Sequence, residues 1–323
     1  MTKLTYAEAM LDAIDHSMAG DERVSMIGGT LFGLGPQRGL VDRLHADYPG
    51  RISNPPTSES ACVAMGIGAA MAGERPLVDV GTASFLFEAW SQIVNEAAPA
   101  HYMSGGQIRV PVVFHMLHGL RGGGAAQHSH SPQGMLWNAP GLEIALPSSP
   151  ADVKGLMRSA LLSDNPTVFI NHSLLLAVEE DVPDDDYDLP FGVADIKRAG
   201  RDATVVATSY QVLNALNAAD TLTGEGIEVE VLDLRTVVPL DSAAVLDSVA
   251  RTGRLVVADE ANISCGIASE IAALVAEQGF ASLKAPIRRI TRPDVPVPFS
   301  PPLEAAITPT GDRIAAAVRA LLA

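Results

Sequence analysis

The feature that most constrains the fold is an alternation of short apolar runs with helical segments. The runs are rich in β-branched residues and predict strands at Val24–Ile27, Leu77–Val80, Val110–Met116, Glu143–Leu146 and Thr167–Ile170. Helical patterns lie between them at Glu59–Ala72, Phe85–Ala98 and Ala151–Leu162. This alternation is typical of a parallel sheet that helices cover on both faces. We therefore expect an α/β fold.

The chain begins with a clear helix signal. Thr5 and Glu8 have the spacing of a capping box, which marks the first turn of a helix. The apolar residues that follow fall on one helical stripe: Met10, Leu11, Ile14 and Met18.

An acidic stretch at residues 179–188 divides the chain. It carries strong like charge without an apolar period, which predicts an interdomain linker. The alternative is one long solvated loop within a domain. We expect a first domain at 1–178, a linker at 179–192 and a second, smaller domain at 193–323.

The alternation restarts after the linker and predicts a second α/β domain. Strands are predicted at Thr204–Ala207, Ile227–Leu232, Leu255–Ala258 and Ile287–Ile290. Helices are predicted at Gln211–Thr221, Ser242–Arg251, Ile267–Glu277 and Arg313–Leu322.

Composition excludes several classes of protein. A net charge of -16 argues against nucleic-acid binding, which needs a basic surface, and fits attraction of a basic protein partner. No apolar run is long enough to span a bilayer, and the start lacks the layout of a signal peptide, so we expect a cytoplasmic protein. Cys62 and Cys265 are far apart in sequence, and we expect two buried free thiols.

Common nucleotide and hydrolase motifs are missing. The sequence has no P-loop and no G-x-S-x-G elbow. Gly66 and Gly68 begin like a dinucleotide fingerprint, but they lie inside a predicted helix, where small residues permit close packing. His118, His128 and His130 lack the Cys/His spacing of a zinc site.

Four segments, in order along nearly the whole chain, resemble the beta subunits of pyruvate, branched-chain 2-oxo-acid and acetoin dehydrogenases, which are relatives of transketolase. They are residues 57–73, with Thr-Ser-Glu running into a Gly/Ala-rich helix; Tyr-Met-Ser-Gly-Gly at 102–106; residues 127–155, from Gln-His-Ser to Lys-Gly; and 231–241 with 293–304 in the second domain.

The resemblance implies a pyrimidine-binding domain followed by a transketolase C-terminal-like domain. It also implies thiamine diphosphate as a cofactor shared with an alpha subunit, which holds the diphosphate and Mg²⁺ through Gly-Asp-Gly and a later Asn-Asn. This sequence contains neither motif. The implied assembly is an α₂β₂ heterotetramer, which in the family can serve a lipoyl-bearing acyltransferase.

Glu59 is the main catalytic candidate. It begins an almost wholly apolar helix, so we expect little water around the carboxylate and a disfavoured charged form. The resemblance implies that this carboxylate exchanges a proton with N1′ of the aminopyrimidine, which generates the cofactor's nucleophilic carbon. The alternative is a glutamate that only offsets the dipole of the helix N-terminus.

The resemblance assigns further positions to the site. Thr57, Gly81 and Phe85 would bind the cofactor, with Phe85 packed on the pyrimidine; the alternative for Phe85 is plain core. Glu88 lies one helical turn later and would help to connect two active sites, or would be a solvated carboxylate.

His128 is the second catalytic candidate. It follows a glycine-rich stretch, and the family places this histidine near the reacting carbon and the incoming lipoyl group. Histidine can donate a proton near neutral pH. The alternative is a loop histidine that makes structural hydrogen bonds. His130 is less certain, because many relatives carry Gln there.

Several departures from the family alter these expectations. Gly29–Leu31 replaces a frequent Glu-Asp-Val, His115 replaces a frequent Arg, and relatives carry an acidic residue near Asn171. The acyl-donor pocket is therefore expected to be altered. A structural potassium ion would bind carbonyl groups at Val112, Ala160, Leu161, Ser163 and Asn165.

Three functions remain open from the sequence. The first is a subunit that decarboxylates a 2-oxo acid, or cleaves acetoin, and passes the acyl group to lipoamide. The second is a carboligase subunit that transfers the acyl group to a carbon acceptor in a specialised pathway. The third is a non-catalytic structural subunit, against which the joint presence of Glu59, Phe85 and His128 argues.

Overall fold

The computed structural model describes residues 1–28 and 38–323, and contacts divide them into two compact units. The first unit comprises Met1–His118 and Leu136–Phe191, and the second comprises Gly119–Met135 and Gly192–Ala323. The first predicted domain, 1–178, therefore contains a segment whose contacts lie in the second unit.

Among the described residues, the first unit contains eight strands, five of which lie at the predicted apolar runs. They are β1 (Thr2–Thr5), β2 (Val24–Ile27), β3 (Ile52–Ser53), β4 (Arg75–Thr82), β5 (Val113–His118), β6 (Glu143–Ala145), β7 (Thr167–His172) and β8 (Glu179–Val182). The order β6-β7-β5-β4-β2-β3 forms a parallel sheet. Every residue of β5 and β7 is buried, as expected for central strands with both faces covered.

The helices of the first unit are α1 (Tyr6–Gly20), α2 (Arg38–Asp47), α3 (Glu59–Met71), α4 (Ala100–Met103) and α6 (Pro150–Leu162), with the short α5 (Gln133–Trp137) beginning before residue 136. The capping box is confirmed, since the Thr5 hydroxyl accepts from the Glu8 amide and the Glu8 carboxylate accepts from the Thr5 amide.

The helical segment predicted at Phe85–Ala98 forms two helices of less common types. The structure has a 3₁₀-helix at Ala83–Ala89 and a π-helix at Gln92–Ala97. Apolar spacing in such a short segment does not distinguish the three helix types, because they differ by one residue in hydrogen-bond reach.

The acidic stretch contains a strand at its start. β8 pairs antiparallel with β1, and the Lys3 ammonium lies 2.7 Å from the Glu179 carboxylate. Irregular backbone therefore begins only after Val182. The sequence conceals this strand because Glu179 and Asp181 are exposed, Glu180 is only half-buried, and Val182 alone is buried.

The second unit is built on its own sheet. Its strands are β9 (Asp195–Arg198), β10 (Ala203–Ala207), β11 (Val229–Asp233), β12 (Thr236–Val238), β13 (Leu255–Asn262) and β14 (Arg288–Arg292). Its helices are α7 (Tyr210–Thr223), α8 (Ser242–Thr252), α9 (Ile267–Gln278), α10 (Pro301–Ile307) and α11 (Gly311–Leu322).

Five of these strands form the sheet β14-β13-β10-β11-β9, in which only β9 is antiparallel to its neighbour. Val205, Val231 and Val256 on the sheet pack with Ala215 of α7 and Ile314 of α11 in a buried core. The α/β fold expected from the alternation is confirmed in both units. The alternation missed β9, β12 and α10, which are short.

The structure also bears on the expectations for membrane-spanning helices and for the two cysteines. Across residues 1–28 and 38–323, no helix combines the length and apolar character needed to cross a bilayer. Both thiols are free, but the prediction that they are buried is wrong: Cys62 is partly exposed beside a cavity, and Cys265 is exposed in the loop after β13.

Candidate active site

The strand order of the first unit reverses at β2. Its neighbours are β3 on one side and β4 on the other, so the chain leaves β2 in one direction and later returns to its opposite side. In open α/β sheets, ligands bind in the crevice at the carboxyl ends of strands where the order reverses. The fold therefore places its expected ligand site between the ends of β2 and β4.

A cavity of about 180 Å³ lies at this position. Its walls come from the end of β2, the start of α3, the end of β4 and the following 3₁₀-helix. The lining residues are Gly28, Pro55, Thr57, Ser58, Glu59, Cys62, Asp79, Val80, Gly81, Thr82 and Phe85. Four residues that the sequence analysis assigned to a cofactor, Thr57, Glu59, Gly81 and Phe85, thus line one cavity.

Glu59 is the first residue of α3, directly after the N-cap Ser58. Within the described part of the chain, Ser58 makes no side-chain capping bond. Glu59 is half-buried, so this chain alone does not provide the nearly water-free environment expected from the apolar helix. The apolar composition of α3 suggested a buried carboxylate. Glu59 is, however, the first residue of this helix and lies beside the cavity.

Glycine is required where the two strands meet the cavity. Gly28 has φ +92° and Gly81 has φ +86°, a region that side chains rarely adopt. A Cβ atom on Gly28 would also lie 2.9 Å from the Asp79 carbonyl oxygen. These glycines let the ends of β2 and β4 approach closely and form the floor of the cavity.

Phe85 and Glu88 occupy the same 3₁₀-helix but have different surroundings. Phe85 is half-buried and lines the cavity. Glu88 is exposed and lies outside the set of described residues that line it. The predicted cofactor role of Phe85 thus agrees with its position, whereas Glu88 has no contact with the cavity within this chain.

A buried chain of hydrogen bonds continues from the cavity wall into the sheet. The Asp79 carboxylate accepts from the Gly81 amide at 3.1 Å and lies 3.2 Å from His115 Nδ1. His115 Nε2 lies 2.9 Å from the Asn171 side-chain nitrogen, and the Asn171 oxygen accepts from the Tyr6 hydroxyl at 2.5 Å. No local sequence pattern indicates this hydrogen-bond network, because its members lie on β4, β5, β7 and α1.

The hydrogen-bond directions assign the His115 tautomer. The Asn171 oxygen faces Tyr6, and its NH₂ group also contacts the Met10 sulfur, so the amide donates toward His115 Nε2. Nε2 is then the acceptor, and Nδ1 carries the proton that it donates to Asp79. His115, which stands where the family often has Arg, thus contacts Asn171, near which relatives carry an acidic residue.

We expect His115→Phe to lower the free energy of unfolding by about 1–3 kcal/mol, because the change removes one hydrogen-bond partner from each of the buried side chains of Asp79 and Asn171. The Asp79 carboxylate would then be held less firmly against the Gly81 amide. Urea unfolding measures the effect. His16→Phe is the control on the exposed face of α1, where about 0.5 kcal/mol or less is expected. Equal stabilities of the two variants would contradict the role of this chain.

His128 lies in the second unit. It ends a 3₁₀ turn at Ala126–His128 and is half-buried, and its carbonyl oxygen accepts from Arg121 Nη2 at 2.8 Å. Burial, with Arg292 as a second cause, lowers the pKa of His130. Gly29–Leu31, the other departure from the family, lies outside the described residues.

The carbonyl groups predicted to bind potassium have partners within the chain. Arg75 donates to the carbonyl oxygens of Leu161 at 3.2 Å and Ser163 at 2.8 Å. The carbonyls of Val112 and Ala160 accept from backbone amides. A guanidinium thus already supplies positive charge at two of the predicted ligands, and a second cation there would be repelled. The potassium site stays a prediction that this geometry does not favour.

Comparison with known proteins agrees with the fold. Residues 2–178 match the family model described as transketolase, pyrimidine binding domain, and residues 192–314 match that of transketolase, C-terminal domain. A solved structure, "Split gene transketolase, inactive beta4 tetramer", aligns with a TM-score of 0.81 at 22% identity, covering 99% of this chain and 98% of that one. At this identity the similarity shows the fold alone.

Similar proteins of known name extend along the whole chain. The beta subunit of acetoin:2,6-dichlorophenolindophenol oxidoreductase of Cupriavidus necator is 42% identical, covering 98% of this chain and 97% of the relative. The pyruvate dehydrogenase E1 component subunit beta of Rickettsia felis is 37% identical, covering 98% of both. The 2-oxoisovalerate dehydrogenase subunit beta of Bacillus subtilis is 36% identical, covering 99% of both. The chain therefore belongs to the transketolase-like family that contains the beta subunits of pyruvate, branched-chain 2-oxo-acid and acetoin dehydrogenases.

Proposed function

We propose that this chain is the beta-type subunit of a thiamine-diphosphate-dependent enzyme that decarboxylates a 2-oxo acid, or cleaves acetoin, and transfers the acyl group to lipoamide. The observation that carries the proposal is the convergence of Thr57, Glu59, Gly81 and Phe85 on one cavity at the strand-order reversal. Fold similarity alone would not support it, because one fold hosts many activities.

The cavity residues suit the aminopyrimidine ring of the cofactor, whose thiazolium ring, when bound, supplies the nucleophilic carbon and the electron sink. Phe85 offers an aromatic surface to one face of a planar ring. Glu59 presents a carboxylate that can exchange a proton with a ring nitrogen. The glycines at the ends of β2 and β4 let the backbone approach a ring closely.

We propose that an alpha-type subunit completes the site and that the assembly is an α₂β₂ heterotetramer in the cytoplasm. The chain lacks the motifs that hold the diphosphate and Mg²⁺ in the family. Glu59 is only half-buried, so a partner is needed to exclude water. The face of α3 that does not contact the sheet is exposed and apolar, with Ala61, Ala64, Met65 and Met71, which suits contact with another subunit.

Gly66 has a different role from the close helix contact expected from the sequence. A Cβ atom on Gly66 would lie 2.3 Å from a methyl group of Val78 on β4. The glycine therefore lets α3 pack directly on the sheet, which fixes Glu59 relative to the cavity floor. It leaves the opposite face of α3 for the proposed partner.

The carboligase alternative loses one of its supports. It rested on changed residues at His115 and Gly29, but His115 is fully buried and contacts Asp79 and Asn171. A histidine in place of the family's frequent Arg therefore changes buried hydrogen bonds, and by itself it does not reshape an acceptor pocket.

The proposal is tested by assaying the chain coexpressed with the alpha-type chain of the same organism. Pyruvate, 2-oxoisovalerate and acetoin serve as donors, with thiamine diphosphate and Mg²⁺, and 2,6-dichlorophenolindophenol as the electron acceptor. We expect at least one donor to reduce the dye in a cofactor-dependent manner. Formation of a carbon–carbon coupled product without dye reduction would support the carboligase, and inactivity towards every donor and acceptor would overturn the proposal.

A further inference from the structure

The loop that carries His128 contains few residues that could hold its shape. Residues 119–124 read Gly-Leu-Arg-Gly-Gly-Gly, and glycine loses more conformational freedom on ordering than other residues. Side chains elsewhere in the second unit nevertheless make hydrogen bonds along the loop. These side chains come from β13, β14 and α10, far along the sequence.

Glu304 of α10 makes the most specific contact. Its carboxylate oxygens accept from the Gly122 amide at 2.7 Å and from the Gly123 amide at 3.0 Å. The side chain is 5% exposed. One buried carboxylate therefore binds two successive amides of the glycine run, and such charge-assisted bonds are about twice as strong as neutral ones.

Two acidic residues of β13 hold the two ends of the loop. Glu260 accepts from the Leu120 amide at 2.6 Å, before the glycine run. Asp259 accepts from the Gln133 side chain at 3.0 Å, after His128. Asp259 is itself fixed by the Ile267 amide at 3.1 Å. Asp259 is 1% exposed, and this burial raises the pKa of its carboxyl.

Arg292 of β14 completes the cluster from the other side. Its Nη1 donates to the Ser129 carbonyl at 3.0 Å, one residue after His128. Arg121, inside the loop, donates to the His128 carbonyl itself. Burial lowers the pKa of Arg292, while the nearby carboxylates of Glu260, Asp259 and Glu304 act in the opposite direction.

This cluster is an inefficient way to obtain stability alone. Replacing buried ion clusters with apolar side chains is often neutral or stabilising, because desolvation offsets the attraction between the charges. Three of its buried polar atoms, Ser129 Oγ, Gln133 Oε1 and Arg292 Nε, also lack a hydrogen-bond partner within the described part of the chain. Such arrangements are often retained where function needs a defined geometry.

We propose that Glu304, Glu260, Asp259 and Arg292 are positioning residues that fix the loop at residues 119–133 and thereby the backbone of His128. We name this group the loop clamp. The inference rests on the proposed function of His128 in the transfer of the acyl group. It adds that the second unit sets the geometry of this step through backbone contacts with the loop.

The clamp is tested first without any assay of activity. In Glu304→Gln one side-chain oxygen becomes an NH₂ group, which cannot accept from a glycine amide. We expect the amides of Gly122 and Gly123 to exchange hydrogen roughly 10-fold faster or more, as loss of a charge-assisted bond predicts. Amide exchange in the assembled enzyme, resolved by peptide, measures this. Unchanged exchange in this peptide would overturn the clamp.

Activity then tests the positioning role. We expect Glu304→Gln to lower kcat for acyl transfer with little change in KM, and to leave hydrogen exchange at the cofactor's C2 at the wild-type rate. His128→Ala should give the same pattern, and Glu304→Asp should restore part of kcat. Glu225→Gln is the matched control, because Glu225 is an exposed glutamate of the same unit that forms an ion pair with Arg319, outside the loop clamp. Faster loop exchange with wild-type kcat would refute positioning.

A failure of the proposed role of His128 can be told apart from a failure of the loop clamp. If His128→Ala leaves kcat unchanged, the proposed role of His128 fails, and the positioning proposal fails with it, even if exchange shows that the loop is held. If Glu304→Gln does not assemble, Glu260→Gln weakens the corresponding acceptor of the Leu120 amide. Amide exchange and kcat are then measured in the same way, and the same results would contradict the proposal.

Discussion

Glu59→Gln is expected to reduce turnover of the assembled enzyme by roughly 10²-fold at least, the lower range for loss of a positioned acid–base group. Glutamine has nearly the same shape and still forms hydrogen bonds, so the start of α3 and the cavity should be preserved. It cannot exchange a proton with a ring nitrogen. The step that prepares the cofactor should therefore fail while folding and assembly persist.

The decisive measurement is hydrogen–deuterium exchange at C2 of thiamine diphosphate in the assembled enzyme. The exchange rate should fall in Glu59→Gln, whereas cofactor affinity and particle size should stay close to wild type. Glu74→Gln is the control, because Glu74 is an exposed glutamate just after α3 and outside the cavity lining. If Glu59→Gln exchanges C2 at the wild-type rate, Glu59 serves only the helix start and the main assignment is wrong.

The second large effect is expected when the subunit is assayed without its alpha-type partner. Purified alone, the chain should show no measurable thiamine-diphosphate-dependent turnover, because it has the cavity proposed for the ring but no motif for the diphosphate and Mg²⁺. Adding the alpha-type chain should restore activity. Circular dichroism of the isolated chain is the control for folding, and light scattering of the mixture should show about four chains per particle.

Activity of the folded, isolated chain would contradict the two-subunit proposal directly. A folded mixture that remains monomeric while turning over substrate would contradict the assembly but leave the cavity assignment intact. The two measurements therefore separate the chemistry of the site from the stoichiometry of the particle.

The sequence predicted most of the regular structure because its signals are local. β2 has the predicted bounds, and α3, α7, α8 and α9 lie within one or two residues of theirs. The capping box at Thr5 and Glu8 is a short-range pattern and forms as predicted. Short elements such as β3 and β12 carry too few residues for a period to be visible.

The site could be predicted only in part. Motif resemblance assigned Glu59, Phe85, Thr57 and Gly81, which the structure brings to one cavity. It gave no role to Asp79, which lines that cavity, because the contact with His115 depends on strand pairing. The Glu304 contact spans 182 residues, and no local pattern encodes a partner at that distance.

The placement of the His128 loop has a consequence for synthesis of the chain. Residues 119–135 leave the ribosome well before β13, β14 and α10, which contain every member of the loop clamp. Domains generally fold as units in the order in which they are made, and contacts distant in sequence form slowly. The first unit can therefore fold while residues 119–135 still lack their partners, so the loop gains the contacts of the loop clamp only when translation has passed Glu304.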